Sequence, residues 1–367
     1  MNKGTGNRHM SPSCSSCPSC PSCRSSFGKR LPRLAFALAL FASSAAAARA
    51  QAPLAIAAAD ARVVAAPMPA LPASELRAKL GDGWRVWWRS ADAPVRWSAA
   101  DAPLARTARW TRAADGVEWA EVALGGSGEA WRTRVIVARL DPARVALRLD
   151  TAFTAGVSRR RPAWTVERAA ERDASSFAVN AGQFLYSAPW GWVVLDGREW
   201  LAAGTGPLAS AFIVDAEGRA RLVHGDAVAR LEAANEARRE VAWAFQSYPT
   251  LLAGGEVPAP LRTPGRGVDL GHRDARLAVG TTADGKVLVA LTRFDALGGR
   301  LAFVPFGLTV PETAALMGAL GATDAVMLDG GISAQMHIRD AKGRSHSWEG
   351  LRAVPLALVA IPRKSEQ

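Results

Sequence analysis

Apolar residues in the second half of the chain fall in short runs closed by tight turns, a pattern that predicts hairpins. Trp192 to Leu195 turns at Asp196-Gly197, Ala211 to Val214 turns through Glu217-Gly218, and Leu277 to Thr282 turns at Asp284-Gly285 into Lys286 to Leu291. Asp-Gly between apolar runs favours a hairpin because both turn positions tolerate positive φ. Earlier, Arg132 to Ala138 and Arg144 to Leu149 alternate like two strands joined at Asp141-Pro142. Helical signals are fewer. Residues 165–173, TVERAAERD, suggest a short capped helix, and a longer one is expected between Thr309 and Leu320. There Thr309 and Glu312 form a T-x-x-E capping box, Leu316, Met317 and Leu320 share a face, and Gly321 suits the C-terminal cap. A buried strand, Ala325 to Leu328, follows directly. The expected fold class is α+β: a mixed, largely antiparallel sheet of hairpins with flanking helices, not a series of βαβ units. A small Trp-rich β region, with Trp84, Trp87, Trp88, Trp97, Trp110, Trp119 and Trp131, precedes it. Such rings serve either as buried strand residues or as a sugar-stacking strip.

Composition changes the picture mainly at the N-terminus. The 367 residues carry a formal net charge of +12 and 49% hydrophobic residues, which excludes disorder throughout. The seven Lys and Arg of residues 1–50, where no acid occurs, leave only +5 for the remainder. The remaining arginines are scattered among alanines, so nucleic-acid binding is not expected. Leu31 to Ala48, preceded by Lys29 and Arg30 and closed by Ala48-Arg49-Ala50, reads as an export leader, and its polar interruptions make it too short for a membrane span. Cys14, Cys17, Cys20 and Cys23 have metal-ligand spacing, yet Ser and Pro flank them and they precede the leader, as a start codon placed too early would produce. The expected organisation is therefore a leader over 1–50 with a spurious upstream extension, a linker over 51–72, a β-rich region over 73–160 and a main domain over 161–363. The mature protein is expected in the periplasm or outside the cell.

Chemistry concentrates at three strand-end turns. Asp329-Gly330-Gly331-Ile332-Ser333 puts a carboxylate at the end of an apolar strand, followed by two residues without Cβ, where backbone can approach a ligand. Asn180-Ala181-Gly182-Gln183 ends a second apolar approach before the rings of Phe184, Tyr186, Trp190 and Trp192, a set that suits sugar hydroxyls and sugar faces. His272, Arg273, Asp274 and Arg276 crowd before a third strand, where an arginine fork could take a phosphate or a solvated loop could hold an ion pair. Each segment alone also reads as an ordinary turn. No G-x-S-x-G elbow, P-loop or H-E-x-x-H occurs, and His224, His272, His337 and His346 lack metal spacing, so neither metal nor cofactor is expected.

Taken in order, Asn180 to Phe184, Asp196-Gly197, Gln246 to Leu252, Arg276 to Gly280, Pro305 to Thr309 and Leu328 to Ser333 resemble the phosphodiester glycosidase family over about residues 170 to 362. Ile332 and Ala334 stand where that family commonly has Gly and a Ser or Thr, and Gln183 where Phe or Met is usual. The resemblance implies a sheet-centred domain whose site lies where the Asn-Ala-Gly, Arg and Asp-Gly-Gly segments converge. It also implies a hydrolase acting on a carbohydrate or sugar-phosphate substrate, with Asp329, Arg276 and His272 as catalytic candidates and Asn180, Gly182, Gln183, Gly330, Gly331 and Ser333 as substrate contacts. On this expectation Arg276 and the Gly330 and Gly331 amides hold phosphate, Asp329 faces the anomeric carbon, and Asn180 and Gln183 hold sugar hydroxyls. The competing expectations are a noncatalytic polysaccharide-binding envelope protein and an exported scaffold.

Overall fold

The structure, a computed structural model, describes residues 73–80, 82–98, 102–151, 165–185, 188–234 and 238–363. The leader, the cysteine run and the linker lie outside the described residues, as does Tyr186.

Three antiparallel sheets carry the fold. The largest has nine strands, and its middle runs Ala322–Met327, Leu277–Thr282, Val287–Phe294, Thr133–Leu140 and Val117–Gly126. Thr133–Leu140 reads Val135, Ile136, Val137 without polar alternation because both faces of this sheet are covered. Val135 and Val137 face one core with the helix residues Leu316, Met317 and Leu320. Ile136 and Ala138 face a second core, shared with Phe177, Val179, Phe212, Phe245, Leu356 and Leu358 of the two other sheets. Each of those has five strands, one built around Val241–Ser247 and the other around Phe177–Asn180 and Leu356–Pro362.

The three Asp-Gly and Glu-Gly hairpins form with the expected partners. Both capped helices are present, Val166–Arg172 with Thr165 as N-cap and Val310–Ala319 with the complete Thr309–Glu312 box. The balance is more β than α+β suggests, since five helices accompany 21 strands among the described residues.

One finding extends the sequence reading and another corrects it. Thr133–Leu140 and Val145–Thr151 do meet at the Asp141-Pro142 turn, but they enter different sheets instead of pairing. The Trp-rich strands are also not a separate small layer. Glu75–Leu80, Gly83–Arg89 and Val117–Gly126 extend the nine-stranded sheet through Thr133–Leu140, which pairs with Val287–Phe294 over eight residues. Their tryptophans divide accordingly, with Trp88 buried and Trp84 and Trp131 about half exposed.

Candidate functional site

One strand end from each sheet reaches the same place. Phe177–Asn180 delivers Asn180, Ala322–Met327 delivers Asp329 two residues beyond its end, and Val241–Ser247 delivers Tyr248. The Asn180 side-chain amide donates to the Asp329 carbonyl at 3.0 Å, and the Asp329 amide donates to the Gly182 carbonyl at 2.9 Å. Met327 N bonds the Pro249 carbonyl at 3.1 Å, and the Ser247 hydroxyl bonds the Met327 carbonyl. The fourth wall is the loop before Leu277: Gly331 N donates to the Ala275 carbonyl at 2.7 Å.

Asp329 is the electrostatic centre. Burial pushes its carboxyl up to about 6, opposed by a hydrogen bond from Ser333 and by the charge of Arg352, and reinforced by the nearby Asp274 carboxylate. Its Oδ2 atom is buried and has no hydrogen-bond partner among the described residues. A buried acceptor without a partner is costly, and such positions in native proteins call for an explanation in function. Tyr248, packed edge-on against Trp190 at 5.1 Å, has its phenol pushed upward by burial and by Asp329.

The two glycines after Asp329 serve the protein's own packing. A Cβ on Gly330 would lie 2.5 Å from the Ala275 carbonyl oxygen. Gly331 takes a φ of +56°, and a Cβ there would lie 3.0 Å from an Asp274 carboxylate oxygen. Because the Gly331 amide is bonded to Ala275, it is turned away from the phosphate role expected for it. Asn180 is likewise fully buried and spends its side chain on backbone, donating to Asp329 O and accepting from Gln335 N at 2.8 Å. It braces the two segments, and its amide is not presented to a sugar. Gln183 donates to the Tyr248 carbonyl at 3.1 Å.

Arg276 is deeply buried, and burial pulls its pKa downward. Its Nε donates to the Leu308 carbonyl at 2.7 Å and its Nη2 to the His272 carbonyl at 2.5 Å. These contacts describe a residue that shapes the loop over 272–276. His272 is exposed, with Nε2 3.9 Å from Asp274 Oδ2, and that carboxylate raises the imidazole's pKa. Ser333 is buried beside Asp329. Arg273, whose role was open between phosphate fork and ion pair, makes a bidentate pair with Glu312 at 2.6 and 2.8 Å.

Three residues of the site carry no signal of their own in the sequence. Arg352 lies in an unpatterned stretch with its guanidinium 5.8 Å from the centre of the Phe184 ring. Gln335 ties Asn180 to Arg352, since its side chain donates to the Arg352 carbonyl at 2.5 Å. Tyr248 stands inside a motif stretch without any feature that marks it. Among the described residues no cluster of His, Cys, Asp and Glu is arranged to hold a metal ion, and no helix is long and apolar enough to cross a membrane.

Comparison with known proteins gives a family and distant structural relatives. The profile of the phosphodiester glycosidase family matches residues 173–361. The zebrafish N-acetylglucosamine-1-phosphodiester alpha-N-acetylglucosaminidase catalytic domain, in a form auto-inhibited by its pro-peptide, is 16% identical with a TM-score of 0.49, over 80% of this chain and 89% of that one. A hypothetical protein from Synechocystis is 15% identical with a TM-score of 0.47, over 79% of this chain and 68% of that one. The search of curated proteins gives no match. The matched span contains the Asn180, Arg276 and Asp329 segments that meet in the structure, and the chain belongs to the phosphodiester glycosidase family.

Proposed function

We propose that this chain is an exported hydrolase that cleaves the bond between an anomeric carbon and a phosphodiester oxygen in an envelope or exopolysaccharide sugar phosphate. The observation that carries this reading is the buried Asp329 carboxylate, with one oxygen unpartnered, at the meeting point of three sheets. Phosphate is a stable leaving group, so breaking the C–O bond demands little protonation of the leaving oxygen. What it demands is support for the positive charge that develops on the sugar. Asp329 in its ionised form supplies that support as a negative charge. Asp274 is the second carboxylate near it and, with His272, receives the proton of the attacking water. Arg352 faces the departing phosphate, while Asn180, Arg276, Gly330 and Gly331 hold the loops in register. Gln183, Gly182 and Ser333 lie on the segments that meet at Asp329 and are the remaining candidates for substrate contact. The test is incubation of the mature protein with N-acetylglucosamine 1-phosphodiesters. Release of free sugar supports the reading, and its absence across a panel of sugar 1-phosphodiesters sinks it.

If Asp329 acts ionised, kcat/KM rises with pH and levels off above about 6, where its carboxyl titrates. A fall above that pH would instead assign it the donation of a proton. Arg276→Ala removes two charge-assisted bonds that fix the 272–276 loop, and kcat/KM is expected to drop about ten- to a hundredfold. An unchanged value would take Arg276 out of the account. Export rests on the basic and apolar run over residues 29–50, and N-terminal sequencing of the protein recovered outside the cytoplasm is expected to begin at Gln51. An intact Met1 would refute it.

A noncatalytic polysaccharide- or cell-wall-binding role is the second reading. It is favoured by the half-exposed rings of Trp84 and Trp131, which can stack on sugar faces whether or not bond cleavage follows. Binding of phosphodiesters without sugar release separates it from the first.

A further inference from the structure

Trp84 and Trp131 leave 52% and 53% of their surface in solvent, although large apolar rings are ordinarily spent on a core. They are not isolated. The Trp131 ring meets Phe294 edge-on at 5.7 Å, and Phe294 meets Phe306 the same way at 5.3 Å. At the outer end, a Cβ on Gly125 would lie 3.4 Å from the Trp84 ring and 3.6 Å from the Trp131 carbonyl, so the two tryptophans are neighbours. The Arg132 guanidinium stands 5.7 Å from the centre of the Trp131 ring.

At its inner end the row reaches the wall of the candidate site. Phe306 precedes Gly307, where a Cβ would lie 2.4 Å from the Asp274 carbonyl, and the Asp274 carboxylate lies against Gly331. Gly128, at the start of the turn that carries Trp131, packs on the Arg273 side chain, next to Asp274. The rings therefore run from the loop over 272–276 outward along the nine-stranded sheet. Phe294 already fills the core beneath them, and the outer half of Trp131 covers nothing described.

We infer that this row of rings is a set of outer subsites for a glycan chain joined to the scissile diester, so that the substrate is polymer-linked and not a small diester. The inference rests on the sugar-phosphodiester reading of the Asp329 site. A pyranose presents an apolar C–H face to a flat ring and hydroxyls at its edge to a guanidinium, the combination that Trp131 and Arg132 offer. Contact with the loop over 272–276 chooses a glycan over a protein partner, because a chain leaving the candidate site on this side passes the exposed Trp131 and then Trp84, with the buried Phe294 only supporting Trp131.

The experiment compares two diesters of N-acetylglucosamine 1-phosphate, one with methyl and one with O6 of maltotetraose. The wild-type protein is expected to favour the long diester about tenfold in kcat/KM. Trp131→Ala is expected to lower the long diester about five- to tenfold, the worth of roughly 50 Å² of apolar face taken from water, with the short one within about twofold of wild type. Trp84→Ala should act in the same sense and more weakly. Equal responses of the two diesters, as would follow if residues 51–72 or a second copy covered the rings, overturn the inference, and so does an unchanged long diester. If the wild-type protein cleaves neither diester, the functional reading fails, and the row is judged by maltotetraose binding to the full chain. Tryptophan fluorescence that responds to the tetrasaccharide in wild type and not in Trp131→Ala upholds it, and no response in wild type overturns it.

Discussion

Asp329→Asn is expected to lower kcat/KM on a sugar 1-phosphodiester about 100- to 1000-fold, the usual scale for removing a charge that stabilises a transition state. The same substitution should change how stability depends on pH, with a sign fixed by the direction of the shift. Burial raises the folded-state pKa from the ordinary 3.8 to about 6, so the native protein binds this proton more tightly than the unfolded chain does. The penalty for holding the charge is absent below about pH 4, grows between about 4 and 6, and is fully present above 6. Two pH units correspond to on the order of 3 kcal/mol. Asparagine never ionises, so the variant's unfolding free energy relative to wild type should rise by about that amount between pH 4 and pH 7.5. Urea titrations at the two pH values measure it. A difference that stays constant would mean that Asp329 is solvated like an ordinary carboxylate.

The second large effect lies at Glu312, 17 residues before Asp329 and linked to its surroundings in space through the loop over 272–276. Glu312 is fully buried, accepts both arms of Arg273, receives the Ser74 hydroxyl and closes the capping box on Thr309 N at 2.9 Å. Glu312→Ala leaves Arg273 charged and nearly enclosed, and destabilisation of about 3–5 kcal/mol is expected, as when one partner of a buried pair is removed. Glu312→Gln keeps an acceptor for the cap and should cost less. Arg273 precedes Asp274, so the alanine variant is also expected to lose activity under conditions where it is still folded. A loss below about 1 kcal/mol would place this pair with exposed ion pairs, which contribute little.

The two cases mark what the sequence made legible. The Thr309–Glu312 box, the Asp284-Gly285 hairpin and the Asp329-Gly330-Gly331 turn are local devices whose residues lie within four positions of each other, so composition and spacing reveal them. The bidentate pair of Glu312 with Arg273 joins residues 39 apart, and no spacing rule reaches that far. The assignment of Asn180 as a sugar contact met the same limit. An amide after an apolar strand suits a hydroxyl or a buried carbonyl equally, and only the segment brought against it, here the turn at Asp329 from another sheet, decides between them. Gly330 and Gly331 were legible as places of close approach, but what approaches is the chain at Ala275 and Asp274.

The N-terminal strands follow the same logic. Nothing in the residues of Thr133–Leu140 indicates that its partner is Val287–Phe294, some 150 residues later, and the Trp-rich stretch looked separable for that reason. Arg352 was invisible for a third reason, since a lone arginine in a loop has no pattern, and its influence on Asp329 comes from the fold alone.

Hydrolysis of N-acetylglucosamine 1-phosphodiester in water enriched in heavy oxygen tests most directly that the Asp329 site does glycosidic chemistry. Attack at the anomeric carbon leaves the heavy atom on the released sugar and none on the phosphate, which is the result expected with wild type and lost in Asp329→Asn. Heavy oxygen on the phosphate would mean that the P–O bond is broken, and the carboxylate at the end of this strand would need a different role.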